Sequence, residues 1–202
     1  MHTGNQLAFN LPTRLISKVF LFRAIYLGPA FAYSRDPDFT PVSTKVEFWQ
    51  NVIDNFYKKY KGLQKTHNHY LQTVNATGKL RGPLGRSYTF KKYDKRGTKE
   101  YSDYEIANWI NQGLGADVMA VARVSTAARF AKYKLRSLLN STIHDSISSD
   151  SPDNEVETVK EIFLEVFQDL PKNIEKAYGI KWNLPLLGEV SVGPNLKDLV
   201  EC

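Results

Sequence analysis

Residues 13–26 read Thr13-Arg14-Leu15-Ile16-Ser17-Lys18-Val19-Phe20-Leu21-Phe22-Arg23-Ala24-Ile25-Tyr26, a run without proline, glycine or acid. Pro12 precedes it and Leu27-Gly28-Pro29 follows. A capping threonine, a proline tolerated in the opening turn and a Gly-Pro stop are the punctuation of a helix over Thr13 to Tyr26. On that helix Arg14, Lys18, Phe22 and Tyr26 recur every fourth position, so they form one slowly drifting stripe. Leu15, Val19, Leu21 and Ile25 are expected to cover much of the other side. Two cations followed by two aromatics can hold a polyphosphate at one end and stack a base at the other. An amphipathic helix with a mixed exposed face presents the same residues.

Working outward, a Pro- and Asp-containing loop (Ser34 to Ser43) leads to a helix near Thr44 to Lys61, with Val46, Trp49, Val52, Ile53, Phe56 and Tyr60 at helical spacing. Gly62 is expected to close it, and another helix to run from Leu63 to Val74. A β-like stretch follows from Gly78 to Tyr93, with turns at Gly82-Pro83 and Gly85. A long helical pattern covers Asp103 to Tyr133, with interruptions expected at Gly113 and Gly115. Two strands with a tight turn near His144-Asp145 fit Ser137 to Ser149. A helix from Asn154 to Tyr178 and a strand near Leu186 to Val192 complete an α+β chain.

The chain has 202 residues, 42% apolar and 24% charged, which excludes collagen, coiled coil and wholesale disorder. Its one cysteine, Cys202, excludes a disulfide scaffold and a cysteine-rich zinc site and fits a reducing cytoplasm. Arg23 and Pro29 break the longest apolar stretch, so neither a membrane span nor a secretory leader is expected. There are 27 Lys and Arg against 21 Asp and Glu, a net charge of +6. The excess is uneven. Residues 1–35 hold four basic residues and no acid, and residues 79–99 hold eight basic residues against Asp94. A polyanion partner held at particular places accounts for that distribution, and so does a solvated basic surface.

With these residues in view, the run His2 to Tyr26 resembles the entry to the fingers helix of family A DNA polymerases, the bacterial DNA polymerase I and bacteriophage type. That family's motif B is Arg-x3-Lys-x3-Phe/Tyr-x3-Tyr-Gly, matched by Arg14, Lys18, Phe22 and Tyr26. The lead-in His2-Thr3, Asn5-Gln6 and Leu11-Pro12-Thr13-Arg14 is similar to the bacteriophage branch. The resemblance implies that His2, Arg14 and Lys18 bind an incoming deoxynucleoside triphosphate, Lys18 with a catalytic role. It further implies that Phe22 packs on the nucleotide and that Tyr26 lines the pocket testing the nascent pair. Leu27 stands where the family has Gly, with Gly28 one place later.

Gly85-Arg86-Ser87-Tyr88 is similar to the family's Gly-Arg-Arg-x-Tyr hairpin, and Asn108 and Gln112 before Gly113 resemble its Asn-x3-Gln-Gly element. Side-chain amides suit acceptors that every base pair shows in the minor groove, so they test shape without reading sequence. Tyr104 replaces a basic residue that the family often has four before the Asn, and no role attaches to it. His144-Asp145 resembles motif C, His-Asp-Glu, with Ser146 in place of the Glu. By resemblance, Asp145 is a catalytic metal ligand for Mg²⁺, and Arg86, Asn108, Gln112 and His144 contact primer-template DNA. Leu184-Pro185-Leu186 and Gly193-Pro194-Asn195 look like the family's closing strand and Gly-x-Asn ending.

A two-metal phosphoryl-transfer site takes carboxylates from separate segments. In the family the other aspartate, in motif A, lies shortly before the His-Thr lead-in, and no acid precedes Asp36 here. Residues 1–103 are therefore expected to be fingers and 104–202 C-terminal palm, with motif A, thumb and exonuclease on an upstream fragment or exon product. The competing expectation is a noncatalytic nucleic-acid-binding remnant. Asp150, Asp153 and Glu155 are expected to be solvated acids at a helix start. His67 and His69 diverge by about 200° on a helix, which separates them as metal ligands and leaves both solvated.

Overall fold

The computed structural model describes residues 2–202, with side chains from Gly4 onward. The chain packs as two compact units, one comprising the residues up to Gly82 with Ser87–Asn111, the other Pro83–Arg86 with Gln112–Cys202. The division falls inside a long helix and not at its start, where the sequence placed it.

In the first unit, α1 (His2–Ala8), α2 (Arg14–Ile25), α3 (Ala30–Arg35), α4 (Val46–Lys59) and α5 (Lys61–Thr77) follow one another. Their shared core is aromatic: Phe20, Tyr33, Phe39, Trp49 and Phe56 are almost fully buried. Tyr33 stacks on Trp49 at 5.4 Å, and Phe20 meets Phe56 edge-on at 6.1 Å. Burying side chains of this size stabilises by roughly 1.5–3 kcal/mol each. Asn5, also buried, accepts hydrogen bonds from Lys59 Nζ at 2.8 Å and Tyr60 Oη at 2.7 Å, tying α1 to the end of α4.

Tyr60, not Gly62, separates α4 from α5, and Gly62 lies inside α5. Strands β1 (Lys79–Arg81) and β2 (Ser87–Thr89) pair antiparallel, with Leu80 opposite Tyr88. A second hairpin that the sequence did not announce, β3 (Tyr93–Lys95) and β4 (Thr98–Glu100), turns at Arg96 and Gly97, both at positive φ. The 30-residue helix α6 (Asp103–Lys132) starts here, with Ile106 and Ile110 packed beside Val74, Leu80 and Phe90. Gly113 and Gly115 do not interrupt it. Each costs about 1 kcal/mol relative to Ala, and the buried faces on either side outweigh that.

In the second unit the rest of α6 packs with α7 (Val156–Tyr178) around Ala122, Phe130, Ile162, Val166, Leu170 and Ile174. Strands β5 (Leu138–Ile143) and β6 (Ser146–Asp150) form the expected hairpin. Leu139 and Ile147 rest against the same core. The closing strand is shorter than expected: β7 (Ser191–Val192) pairs with β8 (Val200–Glu201), while residues 186–190 are irregular. Among the described residues, no helix is long and apolar enough to cross a membrane.

Candidate functional site

Helix α2 is built to show one face. Thr13 caps it, its Oγ1 accepting from the Ile16 amide at 3.1 Å, which satisfies an otherwise open donor. Ser17, Phe20, Leu21 and Ala24 are buried. Arg14, Lys18 and Phe22 are exposed on another side, and Tyr26 is half-buried at the helix end. Leu15, expected to be covered, is 68% exposed, because the aromatic core lies one step around the helix from it. Arg14 and Lys18 form no ion pair among the described residues, whereas Arg23 is bound to Asp36 at 2.6 Å and lies over the Tyr33 and Phe39 rings. The structure thus separates structural Arg23 from two available cations. The His2 side chain lies outside the described residues.

The end of α2 explains the displaced glycine. Leu27 takes the left-handed conformation at φ 59°, its amide donating to the Ala24 carbonyl at 3.1 Å. The Gly28 amide donates to the Arg23 carbonyl at 2.9 Å, which completes a Schellman turn. Gly28 is required for a different reason, since a Cβ there would strike the Arg23 side chain. Motif B therefore ends in the turn that its usual Tyr-Gly would make, with a leucine in the glycine's conformation.

The Tyr26 ring meets Tyr104 edge-on at 5.9 Å. Tyr104, which the sequence left without a role, thus flanks the aromatic end of the stripe. The signal was its place one turn before Asn108 and two before Gln112 on one face of α6. Asn108 is half-buried in the first unit; Gln112 is exposed at the start of the second. Behind α2, His67 is buried, against expectation, and its Nδ1 lies 3.0 Å from Tyr57 Oη. Burial lowers its pKa, partly offset by a hydrogen bond to the Ile25 backbone at the end of α2. His69 remains exposed, so no metal pair forms.

In the second unit, Arg86 is engaged by Asp117 of α6, with Nε donating to Oδ1 at 2.9 Å. His144 and Asp145 form the two-residue tip of the β5–β6 hairpin and are both exposed. His144 sits at φ 51°, a conformation that His, Asn and Asp adopt more readily than most residues. Ser146, in the place of an expected acid, donates from Oγ to the Ile143 carbonyl at 2.9 Å and closes the turn.

The base of this hairpin is held by Glu155, a second correction. It is buried, not solvated, and accepts from Ser137 Oγ at 2.7 Å, Ser137 N at 2.9 Å and Arg136 N at 3.0 Å. The Ser137 hydroxyl, then the Arg136 amide, hold its carboxyl down to about 2. Beyond the hairpin, Gly193 admits no Cβ against the Asp198 carbonyl, and Asn195 Oδ1 accepts from the amides of Lys197 and Asp198.

Among the described residues, no cluster of three or more His, Cys, Asp or Glu is placed to hold a metal. Asp145 offers one carboxylate, so these residues do not by themselves make a two-metal site.

Residues 7–198 match the model of DNA polymerase family A. The chain belongs to that family. DNA polymerase I of Chloroflexus aurantiacus is 22% identical over 187 residues, covering 92% of this chain and 18% of the relative. DNA polymerase I of Treponema pallidum is 26% identical over 92% of this chain and 17% of its own length. The DNA polymerase of Bacillus phage SP01 is 23% identical over 93% of this chain and 20% of its own. This family A chain thus spans about a fifth of the relatives it matches.

The POL domain of Pol1 from M. smegmatis, solved in complex with DNA primer-template and dNTP, superposes with a TM-score of 0.71 over 91% of this chain and 31% of that one. At 16% identity that likeness speaks for the fold: the α+β arrangement is that of a polymerase domain. Family A polymerases use divalent metals.

Proposed function

We propose that residues 1–103 serve as the fingers and 104–202 as the C-terminal palm of a template-directed DNA polymerase, which transfers a deoxynucleotide to a primer 3′ end in the cytoplasm. One observation carries the reading. Arg14, Lys18, Phe22 and Tyr26 share a face of α2 away from its buried side, and its two cations have no acid partner among the described residues.

In this reading Arg14 and Lys18, with His2, hold the triphosphate of the incoming deoxynucleotide. Guanidinium and ammonium groups one helical turn apart offset charge that grows on the phosphates during transfer. Lys18 is catalytic because it touches the group being cleaved. Phe22 packs on the nucleotide, and Tyr26, braced by Tyr104, limits the pocket. Asn108 and Gln112 donate to the minor groove, with Arg86 and His144 contacting the DNA backbone. Asp145 contributes one ligand for Mg²⁺, which stabilises attacking and leaving oxygens when bound. The second carboxylate comes from a segment outside these 202 residues that carries motif A. Ser146 in place of the motif C acid favours a second reading, a noncatalytic nucleic-acid-binding remnant.

The test is Lys18→Ala in the assembled enzyme. Use of deoxynucleotide should fall by more than tenfold while primer-template affinity changes less than about twofold. Equal loss of both, or of neither, contradicts the assignment.

A further inference from the structure

Helix α5 carries a polar face that the polymerase site does not use. From Lys61 to Thr77 it contains no acid. Lys61, Gln64, Lys65, Asn68, His69 and Gln72 line a surface trough of about 470 Å³. A second trough of about 450 Å³ shares Lys61 and Gln64 and extends along α4 to Tyr57 and Lys58. Lys58, Lys61 and Lys65 are exposed and form no ion pair among the described residues. The one acid lining either trough, Asp54, accepts a hydrogen bond from Gln50 at 2.9 Å.

We propose that this α4–α5 trough is a binding site for the backbone of single-stranded DNA, in the polymerase the unpaired template beyond the primer-template junction. The stripe from Lys61 to Gln72 is about 16 Å long at 1.5 Å per residue, room for a few consecutive phosphates of an extended strand. Three unopposed ammonium groups supply sequence-independent attraction. The carboxamides of Gln64, Asn68 and Gln72 add donors and acceptors for phosphate oxygens or base edges, and Tyr57 and His69 offer rings for stacking. A double helix is too wide for such a trough. An acidic protein segment would meet the same charges, and here the row of amides and rings favours nucleic acid. Identifying the strand as template rests on the polymerase reading; binding of a single strand does not.

The experiment uses the full 202-residue chain, titrated against fluorescent oligothymidylate and a blunt duplex from 50 to 300 mM salt. The comparison protein is the triple variant Lys58→Ala, Lys61→Ala, Lys65→Ala, whose changes are all exposed and leave the cores intact. Removing three phosphate contacts should flatten the log–log salt slope for oligothymidylate by about 2 and weaken affinity about tenfold at low salt. Blunt-duplex affinity should change less than about twofold. An unchanged slope, or an equal loss on the duplex, overturns the proposal. Displacement of oligothymidylate by polyglutamate at equal charge concentration also overturns it, assigning the trough to acidic proteins. Because Lys18→Ala reads nucleotide use and the triple variant reads strand binding, either claim can fail while the other stands.

Discussion

Leu27 holds a backbone conformation that costs an L-residue roughly 1–2 kcal/mol and glycine almost nothing. Leu27→Gly should therefore raise stability by about 0.5–1 kcal/mol, the gain being trimmed by lost contacts of a half-buried side chain. A higher urea midpoint at unchanged slope checks it. Glu155 gives a pH-dependent counterpart. Its carboxyl is held at about 2 against an ordinary 4.5. Its contribution is therefore complete above the ordinary value and lost as pH falls from there toward 2. Denaturant unfolding between pH 6 and 2 should show this acid loss, and Glu155→Gln should flatten it. Neither this carboxylate nor His67 was legible as buried. The partners of Glu155 are 18 and 19 residues away at the start of β5. Those of His67 lie on α4 and at the end of α2.

At the level of elements, α2 was readable because its cap, its stripe and its stop are all local. Its buried face was half misread: apolar character alone does not separate exposed Leu15 from buried Leu21. The β5–β6 hairpin was readable from its alternation and polar tip. The β3–β4 hairpin escaped because its six residues are all exposed, leaving no hydrophobic pattern to see. Arg86 matched its motif, and the Asp117 that orients it did not belong to any motif. The amides of α6 yield a prediction at this scale. If Asn108 and Gln112 feel the minor groove without reading it, Gln112→Ala should weaken extension to a similar degree, within about threefold, on A·T-rich and G·C-rich primer ends. A strong base preference in the loss would contradict that role.

On the scale of the whole molecule, two units with separate cores each bring part of the chemistry: the cationic stripe on the first, the Asp145 hairpin on the second. The family was legible in the sequence because its motifs occur in order across nearly the whole chain, and residues 7–198 match its model. The central claim is that these residues supply triphosphate binding and one metal ligand, while a second carboxylate lies outside them. Primer extension with Mg²⁺ tests this most directly, using the purified chain with and without a family A fragment that contains motif A. The account predicts no extension by these 202 residues alone, extension when the fragment is added, and its loss on Asp145→Ala. Extension by the chain alone that Asp145→Ala abolishes would contradict it.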